Sequence, residues 1–342
     1  MAAEVYSPKE RLLRVLKKQE TERPPTICPG GMMNTAITEI MRDTGHTLPE
    51  AHHGSELMGQ LAWDVMNKTG FENFGIPFCM TIEAEALGSE IDFGTISTEP
   101  SIKREPFASV DAVEFLPPGA VLKTSRAGAL MQAAQGLKNS YPDIPVIGSI
   151  TGPVSLGSSL VDPMTFLKEL RKKPEASHRF LNYATEQLIS YAKELADNGA
   201  GIICIADPTA TGEILGPKLF GEFVVPYINR IVDAVHTMNV PVIIHICGDV
   251  NVVKKELPSF KGDAISVDAM VSLKKIQDEY PELTTMGNLN TYMLQSGNVD
   301  MIRRGALQLL QHKIAIPAPA CGLSTSTPLA HIRAFTETVK KG

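Results

Sequence analysis

Leu12, Val15 and Leu16 recur at helical spacing with Arg and Lys on the opposite face, which predicts an amphipathic first helix over residues 8–18. Arg23-Pro24-Pro25 then breaks the chain. The same spacing predicts helices over 33–42, 56–68 and 126–139. From Val146 the pattern becomes a rhythm. Short runs rich in Ile and Val at 146–150, 201–206, 241–246, 264–267, 284–287 and 313–317 read as strands. Longer stretches at 163–198, 220–238, 250–257, 273–280, 300–311 and 329–340 read as the helices between them, the first ending at Asn198-Gly199 as a helix C-cap would. Continuously apolar strands suit a parallel sheet buried on both faces.

Six βα units therefore run from Val146 onward. Two or three more are expected from Thr26-Ile27, the 71–74 region and 81–85, and eight units close a barrel. The predicted fold class is α/β, a (β/α)8 TIM barrel with an N-terminal helical extension. No short repeat, low-complexity tract or Pro/Ser linker interrupts the pattern, so the chain reads as one domain over 1–342, with 1–25 as a helical arm.

Composition narrows the function. The chain has 342 residues, with 32 Lys+Arg against 38 Asp+Glu and a formal charge of −6. That mild acidity speaks against a nucleic-acid partner, whose usual footprint is a basic face. No apolar run approaches the roughly 20 residues that span a bilayer, and the charged N-terminus has no apolar signal core. No membrane role is expected, and the expected location is cytoplasmic. Five cysteines, Cys28, Cys79, Cys204, Cys247 and Cys321, are too few and too odd in number for a disulfide scaffold.

In an α/β barrel the active site lies at the C-terminal ends of the strands. There the sequence places Asp207-Pro208, then His245 and Cys247-Gly248-Asp249, then Asp268, Asn288 and Cys321-Gly322. His245 and Cys247 are two apart in an extended segment, so their side chains share a face. Barrel closure would bring Cys321 across the mouth. A His-Cys-Cys set with an open position suits catalytic zinc, with Asp268 the nearest carboxylate for the remaining place. Plainer roles stand beside these. Asp207 also suits a turn cap, and Asp268 and Asp249 suit helix N-caps. Cys204 and Cys79 read as buried small apolar residues. Met32-Met33 reads as barrel lining, and the seven other histidines as surface or packing residues.

The order P-T-I-C-P-G-G-M-M-N (25–34), I-G-S-I-T-G-P (147–153), I-A-D-P (205–208), H-I-C-G-D (245–249), I-S-V-D (265–268) and P-A-C-G-L (319–323) resembles the uroporphyrinogen decarboxylase superfamily, and within it the methylcobamide:coenzyme M methyltransferase branch. The resemblance covers nearly the whole chain and implies a (β/α)8 barrel with zinc held by His245, Cys247 and Cys321. In that branch a Glu stands at the position matching Asp268 and completes the zinc shell when substrate is absent; the Asp here is one methylene shorter. The implied reaction moves a methyl group from a methylated corrinoid, presented by a partner corrinoid protein, to a small thiol such as coenzyme M. Asp268 would be displaced by the incoming thiolate, with Asp207 and Asn288 as supporting or substrate-positioning groups. Two alternatives are a uroporphyrinogen-type decarboxylase and a non-catalytic zinc-bearing corrinoid-protein adaptor. The decarboxylases of this family carry an early arginine-rich R-x-x-G-R segment, where this chain has Cys28-Pro-Gly-Gly-Met-Met-Asn34 with no cation. The sulfonate of coenzyme M calls for a cation or helix N-terminus that no spacing in the sequence supplies.

Overall fold

The computed structural model describes residues 5–342, so residues 1–4 of the expected arm lie outside the described residues. Nine strands form among them: β1 (Phe74–Ile76), β2 (Glu90–Asp92), β3 (Ser101–Arg104), β4 (Val146–Thr151), β5 (Ile202–Ala206), β6 (Val242–Ile246), β7 (Ala264–Val267), β8 (Thr285–Leu289) and β9 (Ile316–Pro319). Seven pair in parallel in the order β1-β4-β5-β6-β7-β8-β9. The sheet is continuously apolar because both faces are covered: β4, β5, β6, β7 and β9 are buried at every position. The six strands expected from Val146 onward all form, β9 starting later than expected.

The first half departs from expectation. Residues 71–74 lead into β1, but 81–85 belongs to the helix Ile82–Ala86. Thr26-Ile27 joins no named strand. Pro24, Pro25 and Pro29 have no N–H to give to a ladder, and side chains take its place. The Asn73 amide accepts from Cys28 N at 2.9 Å and donates to Cys28 O at 2.8 Å, while Glu72 N donates to Thr26 O at 2.9 Å. Segment 25–34 thus runs beside β1. At its far end Leu323 N, just past β9, donates to Asn34 O at 3.0 Å.

Prolines also divide helices that periodicity reads as single. The 163–198 stretch is two helices, Pro163–Lys172 and Pro174–Asp197, because Pro174 cannot continue the first ladder. The 220–238 stretch spans the end of Gly212–Phe223 and all of Val225–His236, with Pro226 in the opening turn of the second. The 33–42 helix begins only at Thr38, and 250–257 is a 3-10 turn, Asn251–Ser259.

Arg11 of the N-terminal helix Pro8–Leu16 is held by two carboxylates, Glu22 and the buried Glu72. Glu72 accepts from Arg11 Nη1 at 2.7 Å, Arg23 Nη1 at 2.8 Å, Arg23 Nη2 at 2.7 Å and Thr26 N at 3.0 Å. Strands β2 and β3 form an antiparallel hairpin that the periodicity does not announce. Its connecting loop docks beside the C-terminal ends of the sheet strands: Thr325 Oγ1 donates to Ser97 O at 2.9 Å and Asn34 Nδ2 reaches Glu99 Oε1 at 3.5 Å. Among the described residues no helix is long and apolar enough to cross a membrane.

Candidate metal centre

His245 is the fourth residue of β6 and fully buried, and Cys247 follows the strand with 9% exposure. As the extended spacing predicts, both side chains meet on one face: His245 Nε2 lies 3.1 Å from Cys247 Sγ. Cys321, two residues beyond β9, brings its Sγ to 3.5 Å from that of Cys247. The three ligand atoms lie within 4.8 Å of one another. Both cysteines are free thiols.

Two glycines fix this meeting. Gly248 turns the chain away directly after Cys247 with φ +73, in the left-handed region that side chains rarely adopt. Gly322 packs against segment 25–34 so closely that a Cβ would stand 2.3 Å from Met32 O. Leu323 N to Asn34 O and Ala320 N to Leu289 O, at 3.0 and 2.8 Å, pin the Cys321 loop from both sides.

The donor set fits zinc. A tetrahedral centre with Zn–S of about 2.3 Å separates two sulfurs by about 3.7 Å, close to the spacing found. The protonation of the pair points the same way. The hydrogen bond from Cys247, with the neighbouring His245, holds the Cys321 thiol well below its ordinary range, and the same bond together with burial pushes Cys247 up. A dication bound there would favour the thiolate form of both sulfurs.

Ser266, which the sequence reading did not single out, orients the imidazole. In the parallel register it lies directly beside His245, and its Oγ is 2.9 Å from His245 Nδ1. With a metal on Nε2, Nδ1 would carry the proton and donate it to Ser266, as metal-ligating histidines usually do to a neighbour. The signal was a fully buried hydroxyl inside the otherwise apolar run Ala-Ile-Ser-Val.

The other predicted residues are placed differently. Asp268 stays outside the three-ligand group; its Oδ1 accepts from Met270 N at 3.3 Å, a turn cap. Asn288 spends its amide on the neighbouring loop, donating to Asp268 O at 2.9 Å and Val271 O at 2.8 Å. Asp207 is fully buried and caps the helix Pro153–Leu160, accepting from Val154 N at 3.1 Å, Ser155 N at 2.7 Å and Ser155 Oγ at 2.6 Å. Burial lifts its carboxyl to about 6, against the pull of those three donors. Asp207 N also donates to His245 O at 3.0 Å, so its loop holds the β6 backbone at the centre. Cys204 is buried in mid-strand as expected, its thiol pushed up to about 12 by burial. Cys79 is more than a small apolar residue, because it accepts from Arg126 Nη2 at 3.0 Å. The same buried guanidinium donates to Glu85 and Thr81, tying the helix Ser125–Ser140 to the segment after β1.

A parallel α/β sheet with a His-Cys-Cys set at the C-terminal strand ends defines the class, and comparison with known proteins agrees. The uroporphyrinogen decarboxylase (URO-D) family pattern matches residues 7–342. A methylcobamide:CoM methyltransferase, MtbA, of Methanosarcina acetivorans is 32% identical over 337 residues, covering 98% of each chain. MtaA of Methanosarcina barkeri, likewise a methylcobamide:CoM methyltransferase, is 31% identical over 96% of each. A solved structure, a methyltransferase from Methanosarcina mazei, superposes with a TM-score of 0.91 at 30% identity, covering 98% of this chain and 99% of that one. The chain belongs to the uroporphyrinogen decarboxylase family. Within it the chain stands in the methylcobamide:coenzyme M methyltransferase branch and is a methyltransferase.

Proposed function

We propose that this enzyme transfers a methyl group from a methylated corrinoid, presented by a corrinoid protein, to a small thiol such as coenzyme M, at a zinc centre held by His245, Cys247 and Cys321. The convergence of those three ligand atoms within 4.8 Å carries the reading. Bound there, zinc would hold the acceptor thiol as its thiolate at neutral pH.

The chain's own residues supply the rest. Ser266 sets the imidazole so that Nε2 faces the sulfurs. Two ionised cysteines and one neutral histidine leave the acceptor sulfur electron-rich, because their two negative charges already balance the dication. With zinc bound, Asp268 would be the carboxylate available for the open position at rest, once released from Met270 N, and would give way to an incoming thiol. Asp207 and Asn288 hold the loops that carry the centre. We read the chain as a single domain whose barrel is completed by segment 25–34, acting in the cytoplasm.

The test is incubation with methylcobalamin and a panel of small thiols, following the cobalt spectrum. Transfer by the native enzyme, lost with zinc in Cys247→Ala and Cys321→Ala, is the expected outcome; full transfer by either variant with stoichiometric zinc would refute the assignment. A porphyrin-type decarboxylase would instead release CO2 insensitively to chelators. An adaptor with a closed site would gain no sulfur ligand when thiol is added.

A further inference from the structure

The two sulfurs of the centre are also placed for chemistry with each other. Cys247 Sγ and Cys321 Sγ are 3.5 Å apart, and both are free thiols. A disulfide has S–S of about 2.0 Å, so the pair has to close by only about 1.5 Å from the 3.5 Å found. Rotation about the two Cα–Cβ bonds covers that distance while the backbone stays in place. Ala320 N to Leu289 O and Leu323 N to Asn34 O hold the Cys321 loop, and Asp207 N to His245 O holds the end of β6.

The other three thiols are engaged elsewhere. Cys28 Sγ donates to Met33 O at 3.0 Å, Cys79 accepts from Arg126 Nη2 at 3.0 Å, and Cys204 is buried in mid-strand in β5. The facing pair differs in access. Cys321 is partly exposed, whereas Cys247 is buried at 9% exposure. In thiol–disulfide exchange an accessible sulfur attacks first, and a second sulfur in contact with it resolves the mixed disulfide. Cys321 and Cys247 are arranged for those two roles.

We infer that Cys321 and Cys247 form an exchange pair that the disulfide of the acceptor thiol oxidises and the acceptor thiol restores. The inference rests on the proposed function for the identity of that small molecule. Cys321 Sγ attacks one sulfur of the small disulfide; a mixed disulfide forms, the small S–S bond breaks, and the first acceptor thiol leaves with the Cys321 proton. Cys247 Sγ then attacks Cys321 Sγ, and the second acceptor thiol leaves with the Cys247 proton. Two electrons pass from the cysteines to the small disulfide. From the zinc-loaded centre the same exchange yields the protein disulfide, one zinc ion and two acceptor thiolates, which conserves charge. A linked pair has no thiolate to offer a metal, so methyl transfer stops when the acceptor is oxidised and resumes when it is reduced.

The experiment counts thiols. Under argon, the zinc-loaded protein (with a chromophoric chelator present) and the zinc-stripped protein are incubated with the disulfide of coenzyme M, denatured and alkylated. Of the five free cysteines, three remain alkylatable in both forms, and peptide mapping finds Cys247 linked to Cys321. The zinc-loaded form gives up one zinc per link, and excess coenzyme M returns all five thiols. The link forms at least about ten-fold faster than Cys28, Cys79 or Cys204 is modified, because those three are less accessible. Cys247→Ser, which lacks the resolving sulfur, stops at a mixed disulfide of coenzyme M on Cys321. Five thiols surviving an excess of the disulfide in either form would overturn the inference. So would mixed disulfides on both cysteines with no link, a link to another cysteine, or a link that excess thiol does not open. No methyl donor is present, so a link that forms in a protein unable to transfer methyl groups counts against the proposed function and leaves the exchange standing.

Discussion

Replacing Ser266 with Ala removes one oxygen and almost no volume, so its effect isolates the bond to His245. Both residues are fully buried and Oγ lies 2.9 Å from Nδ1. No water reaches the ring to replace the hydroxyl, and a buried N–H left unpaired costs about 1–3 kcal/mol. The imidazole then either keeps Nε2 on the sulfurs and bears that cost, or rotates and surrenders the ligand position. Loss of such a supporting partner lowers metal affinity about 10–100-fold, or roughly 1.4–2.8 kcal/mol at 1.4 kcal/mol per decade. Competition against a chromophoric chelator measures the affinity, and circular dichroism of the metal-free protein checks that the fold survives. Ser266→Thr, which retains a hydroxyl, is expected to recover much of the loss. Zinc affinity in Ser266→Ala within two-fold of native, with the fold intact, would refute the orienting role.

Three further outcomes are expected. Asp207 holds its proton to about 6 when folded, against 3.8 for the free side chain. Protons therefore favour the native state, and stability from this group is full below pH 3.8 and lost as pH rises through about 6; at 1.36 kcal/mol per pKa unit the loss is about 3 kcal/mol. Asp207→Asn should flatten the denaturant-midpoint profile across that window, and an unaltered slope counts against the assignment. Gly322→Ala drives a methyl into Met32 O, and overpacking of this kind costs about 1–3 kcal/mol. Its Cys321 loop should shift, with zinc binding at least ten-fold weaker by chelator competition. Glu72→Ala removes the carboxylate that Arg11 and Arg23 share while Arg11 keeps Glu22 and Tyr6 O, so the loss stays below the roughly 3–5 kcal/mol of a buried ion pair deprived of its only partner; a midpoint shift under 1 kcal/mol in urea would show that the N-terminal helix is held by other contacts.

Much of the second half of the molecule was legible along the chain. The runs from Val146 onward became six adjacent parallel strands because a segment apolar at every position has few ways to bury both faces. His245 and Cys247 were legible as a pair because a two-residue step in extended backbone is a local rule, indifferent to the rest of the fold. Local rules failed where prolines and side chains intervened. Pro174 and Pro226 divide periods that are otherwise continuous. Segment 25–34 lies beside β1 yet joins no ladder, because the Asn73 amide stands in for backbone. The β2–β3 hairpin is mostly solvent-facing, so no hydrophobic alternation marks it.

The tertiary structure alone decided which residues complete the centre. Cys321 lies 74 residues beyond Cys247, a separation over which no periodicity carries phase, and it arrives because the Gly322 loop fits against Met32 and Asn34. Ser266 supports His245 only because β7 pairs with β6 in that register. Asp268 and Asn288, which look equally suited to the centre by position after their strands, turn into the loops between β7 and β8. Sequence fixes what each strand end offers; the register between strands and the packing of the loops beyond them decide which offers meet.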